Sequence, residues 1–151
     1  MKTFCSRKLL LVIVVVSITF AVQHTAAAQA TIPNPVLTFI GQEHFQTSGK
    51  QYIRYYFHVF NKLEYPAELF VASPSLPPCG KNAQASRTWV DIYDQSGKRL
   101  NGFCALGKPG YLAKIWFAMD ENTIPPSWVY IELNDRKTNT KYKSNLAETT
   151  L

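Results

Sequence analysis

Few side chains in this sequence are of types that could do chemistry, and their spacing narrows what that chemistry could be. Cys79 and Cys104 lack the C-x-x-C spacing and neighbouring histidines of a redox or metal centre. They read as one disulfide, and closing a loop of this length removes unfolded-state entropy worth about 3.5 kcal/mol. Past residue 30 only His44 and His58 remain as histidines, and no H-E-x-x-H, G-x-S-x-G or phosphate-cradling glycine loop is present. His58 keeps strand spacing with Tyr56 and Phe60, as a residue lining a face would, rather than a base or ligand. Asp91 and Glu132 each fall on the strand side opposite the apolar residues. Two carboxylates at a fixed separation are what a glycosidase-type hydrolase needs, but Arg54, Arg99 and Lys141 are natural ion-pair partners for both. Asp120-Glu121-Asn122 offers oxygens without the alternating spacing of a calcium loop. No metal and no cofactor is expected, and catalysis is not the leading reading.

Aromatic side chains carry more information. Tyr52, Arg54, Tyr56, His58 and Phe60 alternate along one run and form a candidate binding face. Trp89 and Tyr93, and Trp128 and Tyr130, are similarly placed on other runs. Flat rings with an arginine can stack on sugars or anchor a protein partner. The competing reading is that a second sheet covers this face and makes the rings core. A second candidate surface is the loop around Pro77, Pro78 and Gly80, stiffened by proline and pinned by Cys79.

These groups need elements to position them, and the first thirty residues say where such elements fold. Lys2, Arg7 and Lys8 precede an uninterrupted apolar run from Leu9 to Val16 that resumes after Ser17 to reach Val22, and the stretch closes on Ala26-Ala27-Ala28-Gln29-Ala30. That order is a secretory signal peptide cut after Ala30. At about 14 residues the run is shorter than the ~20 needed to span a bilayer, so no permanent membrane span is expected. Export places the mature chain, residues 31–151, in a secreted or periplasmic setting where disulfides persist. The full sequence carries 16 basic and 10 acidic residues, net +6. Three basic residues leave with the signal, which leaves 13 against 10, net +3. So small and scattered a surplus does not make the basic stripe of a nucleic-acid binder. The mature length suits one domain, expected to be a monomer.

Period two runs through that domain. Val36–Ile40 reads as a first strand ended by Gly41. Tyr52–Phe60 is a long strand with Ile53, Tyr55, Phe57 and Val59 inward, and Glu68–Val71 is a short one. Ser73–Gly80 is a proline-rich edge or surface segment, and Lys81–Ser86 a polar, mobile loop. Thr88–Tyr93 and Lys98–Cys104 flank Asp94-Gln95-Ser96-Gly97, a hairpin signal. Tyr111-Leu112-Ala113 reads as a single helical turn and Lys114–Met119 as a strand. Trp128–Asn134 pairs across Arg136–Thr140 with Lys141–Ser144. No segment of ten residues keeps helical periodicity. The expectation is an all-β, antiparallel β-sandwich of about seven to eight strands.

The closing pattern Trp128-Val-Tyr-Ile-Glu-Leu-Asn-Asp-Arg, a polar turn, then Lys141-Tyr-Lys-Ser-Asn resembles the last hairpin of fibronectin type III and related immunoglobulin-like domains. Pro125-Pro126 resembles their preceding loop. The sequence departs from antibody-type domains, because Trp89 alternates with the inward residues and the cysteines are closely spaced. The resemblance implies an immunoglobulin-like sandwich and, by analogy, a binding or spacing role. The leading expectation is an extracytoplasmic binding module with a protein or glycan partner. The alternatives are a small hydrolase or accessory using Asp91 and Glu132, and a protease-inhibitor-like module presenting Pro77-Pro78-Cys79-Gly80.

Overall fold

The computed structural model describes residues 31–79 and 85–150. The expected signal peptide and Gly80 of the proline loop lie outside the described residues. Eight strands occur among those residues: β1 (Leu37–Thr47), β2 (Lys50–Val59), β3 (Thr88–Asp94), β4 (Arg99–Ala105), β5 (Ile115–Asp120), β6 (Trp128–Asp135), β7 (Thr140–Lys143) and β8 (Ala147–Glu148). All pairings are antiparallel. They build a three-stranded sheet in the order β1-β2-β5 and a five-stranded sheet in the order β4-β3-β6-β7, with β8 also paired to β6. The chain therefore changes sheet between β2 and β3, again between β4 and β5, and again between β5 and β6.

Alternation along each strand decides what lies between the sheets. Tyr55, Phe57 and Val59 from β2, Ile115 and Phe117 from β5, Val90 and Ile92 from β3, and Val129, Ile131 and Leu133 from β6 form one buried cluster. Side chains two apart share a face, so these runs of Val, Ile, Phe and Tyr aim one wall of each sheet inward. Phe117 has no exposed surface and stacks on Tyr55, ring centroids 5.0 Å apart, and on Phe57 at 6.0 Å. Leu100, Ile53 and Met119 pack on the margin of the cluster.

The hairpin between β3 and β4 forms as its sequence dictates. Asp94 Oδ1 accepts hydrogen bonds from the Ser96 hydroxyl (2.6 Å) and from the Ser96 and Lys98 backbone N–H groups (2.9 Å each). Gly97 takes the positive φ of 86° that the turn requires. The Ser96 hydroxyl, with those backbone donors, holds the Asp94 carboxyl below its ordinary range.

Three expectations are corrected. Gly41 does not end the first strand. With φ 136° it absorbs a β-bulge between Phe39 and Gly41, and β1 continues to Thr47. The hairpin to β2 then turns on Ser48 and Gly49, both at positive φ (51° and 76°), the backbone of a primed two-residue turn. Glu68–Val71 is not a strand: Ala67–Phe70 is a 3₁₀ turn that buries Leu69 and Phe70. Its apolar pair satisfies either conformation, and Pro66 before it fixes φ for a turn start. Of the expected polar loop, residues 81–84 lie outside the described residues, while Ala85 and Ser86 are buried instead of exposed. The Ser86 hydroxyl donates to Ala105 O (2.5 Å) and accepts from Thr88 N–H (3.2 Å), which makes a buried polar side chain tolerable.

Candidate functional site

The outer wall of the three-stranded sheet carries the alternating aromatic residues. Strand register sets Gly41, Tyr56 and Trp116 in one row, Glu43, Arg54 and Ala118 in the next, and Phe45, Tyr52 and Asp120 in a third. Because these positions alternate with Tyr55, Phe57, Ile115 and Phe117, they face away from the core. Trp116 is 40% exposed, and Tyr52, Arg54 and Tyr56 are half-buried.

Arg54 organises the wall. Its guanidinium carbon lies 4.3 Å from the Phe45 ring centroid and 4.6 Å from that of Trp116, so the cation is held by the electron-rich faces of two rings. Ala118 is the cross-strand neighbour of Arg54 on β5. Arg54 Nη1 donates to the Tyr56 hydroxyl (3.1 Å), and that hydroxyl donates to Glu43 Oε2. The Arg54 Nε is buried without a hydrogen-bond partner among the described residues. Lys114 Nζ sits 4.1 Å from the Tyr56 centroid. Phe45 stacks on Tyr52 at 5.5 Å. The result is a row of rings and cations held together by stacking and hydrogen bonds on the outer wall of the smaller sheet.

Of the sequence candidates, Tyr52, Arg54 and Tyr56 are brought together here. His58 lies further along β2, opposite Thr38, and Phe60 follows the strand end, 72% exposed. Sequence reasoning missed Phe45, Glu43 and Trp116. Trp116 was recoverable from its alternation with Ile115 and Phe117. Phe45 was hidden by the supposed strand end at Gly41.

Beside this wall a cleft of about 330 Å³ opens between β4 and β5, lined by Phe103, Cys104, Tyr111, Lys114, Ile115 and Trp116. Cys79 and Cys104 form a disulfide across a Cα–Cα distance of 5.9 Å. Pro77 and Pro78 are exposed, and the segment is clamped from the far hairpin: Arg136 donates to Pro77 O (2.7 Å), Ser86 O (3.0 Å) and Cys79 Sγ (3.0 Å).

Asp91 and Glu132 are direct cross-strand neighbours on the outer wall of the larger sheet. Asp91 Oδ1 accepts from Trp89 Nε1 (2.7 Å) and Arg99 Nε (2.5 Å), and its Oδ2 accepts from Asn134 Nδ2 (2.9 Å). Glu132 pairs with Lys141 at 3.2 Å. That bond, with the Glu132 charge, raises the lysine above its ordinary range. Tyr93 and Tyr130 stack on the same wall at 5.2 Å. Among the described residues no group of three or more His, Cys, Asp or Glu could hold a metal ion, and no helix is long and apolar enough to cross a membrane. Comparison with family models, with curated proteins and with solved structures finds no match.

Proposed function

We propose that the mature chain is an exported binding module of immunoglobulin-like architecture, and that it docks a protein or glycan partner on the outer wall of β1, β2 and β5. The single observation that carries this reading is Arg54 laid between Phe45 and Trp116 and bonded to Tyr56. A cation fixed among partly exposed rings is the chemistry of hot-spot anchors and of sugar-stacking platforms. The strand order supports the architecture. Lettering the strands in sequence places A, B and E in one sheet and C, F and G in the other, as in immunoglobulin constant domains. The fourth strand differs, pairing here with the third instead of the fifth. The disulfide suits an oxidising destination, and the segment before residue 31 has the order of a signal peptide.

The test is binding of the mature domain to an array of immobilised glycans and to surface proteins cross-linked from its own extracytoplasmic milieu. Trp116→Ala and Arg54→Lys are expected to weaken the captured interaction at least about tenfold, with little change in melting temperature for Trp116→Ala. Glycan and protein partners are separated by which arm responds. Binding that survives both substitutions, or that maps to the wall carrying Tyr93 and Tyr130, overturns the assignment.

A further inference from the structure

The two sulfurs of the disulfide sit in unequal surroundings. Cys79 is 4% exposed, and its Sγ receives the Arg136 guanidinium at 3.0 Å and the Ser86 backbone N–H at 3.3 Å. Cys104 is half-buried and lines the cleft of about 330 Å³ between β4 and β5. Among the described residues no hydrogen-bond donor reaches its sulfur. One half of the bond thus belongs to a residue that borders the cleft, and the other is surrounded by groups that favour negative charge.

That asymmetry matters for thiol–disulfide exchange. A thiolate attacks one sulfur and expels the other, and the reaction is faster when the departing thiol is the more acidic. A guanidinium and a backbone N–H stabilise a thiolate far more than a neutral thiol. Lys114 at the cleft wall, with no carboxylate within ion-pairing distance among the described residues, favours the approach of an anionic nucleophile.

We propose that Cys104 is a site of S-thiolation by small thiols, reached through this cleft, and that Cys79 is the built-in leaving group. The incoming thiolate forms a new S–S bond to Cys104 Sγ. The Cys79–Cys104 bond breaks, and its electron pair leaves on Cys79 Sγ as a thiolate held by Arg136 and Ser86 N–H. No electrons are gained or lost overall in this step. A second equivalent of the same thiolate attacks the outer sulfur of the mixed disulfide and leaves with it as the symmetrical disulfide of the two small thiols, releasing Cys104 as a thiolate, so the two thiols supply both electrons of the reduction. The site does not depend on the docking wall being a binding surface.

The probe is reduced glutathione, added to the oxidised, folded protein in native buffer. The reaction is quenched with acid, free thiols are alkylated, and both cysteine peptides are mapped by mass spectrometry. The expected product carries glutathione on Cys104 and the alkyl group on Cys79. Arg136→Gln should slow the reaction about tenfold, with Arg136→Lys recovering much of the rate. Adducts on Cys79 or shared evenly between the two sulfurs overturn the proposal, as does exchange seen only under denaturing conditions. The wild-type adduct position tests the claim whether or not the Arg136 variants fold, and a folded Arg136→Gln protein reacting at the wild-type rate also defeats it.

Discussion

The side-chain amide of Asn145 pairs with the backbone of Leu37, 108 residues earlier, as a neighbouring strand would. Leu37 N–H donates to Asn145 Oδ1 at 2.8 Å, and Asn145 Nδ2 donates to Leu37 O at 3.0 Å. Leu37 opens β1 in one sheet, while Asn145 sits between β7 and β8, which belong to the other. One amide therefore joins the two sheets where no ladder does. Asn145→Ala leaves a half-buried N–H and C=O without partners and is expected to cost about 2 kcal/mol. Asn145→Asp should cost as much or more, because a carboxylate then faces the Leu37 carbonyl. Urea unfolding with an unchanged m-value measures both, and a loss below about 0.5 kcal/mol would mean that water replaces the amide.

Stability in acid should depend on Asp135. This carboxylate is 2% exposed and is gripped by Arg87 through two bonds of 2.8 and 2.7 Å, with Thr138 Oγ1 at 2.8 Å and Lys137 N–H at 3.1 Å. The Arg87 bonds, aided by the other donors, pull its pKa from 3.8 to about 2. A carboxyl group lowered in the folded state contributes stability above its unfolded pKa and loses it as pH falls through the folded value. The contribution here is about 2 kcal/mol. Asp135→Asn should therefore be clearly destabilised at about pH 6 and approach the wild type near about pH 2. A stability gap that stays constant over that window would contradict the assignment.

Gly102 is required by its cross-strand neighbour. A Cβ there would lie 2.6 Å from Asp91 Oδ1 and closer still to the Arg99 guanidinium folded over it. Gly102→Ala is expected to push Arg99 off Asp91 and to destabilise by about 1 kcal/mol, after allowance for the reduced entropy of the unfolded chain. In an Arg99→Ala background the same change should cost less. A double-mutant cycle measures the difference, and strict additivity would show that Arg99 is not what the methyl group meets.

The β1–β2 turn offers a stabilising change. Ser48 holds φ 51°, a conformation asparagine adopts more readily than serine. Ser48→Asn should raise stability by about 0.5 kcal/mol without touching the core. Thermal unfolding reads it directly, and a lowered melting temperature would count against the primed-turn geometry.

What the residues declare locally, they declare well. Alternation in Thr88–Tyr93, Lys114–Met119 and Trp128–Asn134 foretells three of the strands and their buried faces, because a period of two leaves apolar side chains only one wall to share. The Asp94–Gly97 turn is equally plain, since its hydrogen bonds close within five residues. Where a segment fits two conformations the sequence is silent. Glu68–Val71 could pleat or wind, and Gly41 could stop a strand or bulge it, with the outcome decided by what packs alongside.

The sequence by itself determined a strand-dominated chain, the inward sides of β2, β3, β5 and β6, and the pairing of Cys79 with Cys104. Only the tertiary structure decided that no second sheet among the described residues covers the ring-bearing side of β2, and that Phe45 and Trp116 arrive from neighbouring strands to hold Arg54 between them. The physical reason is that alternation fixes which side chains share a face. Which faces meet, and in which register, is set by packing contacts between residues far apart along the chain.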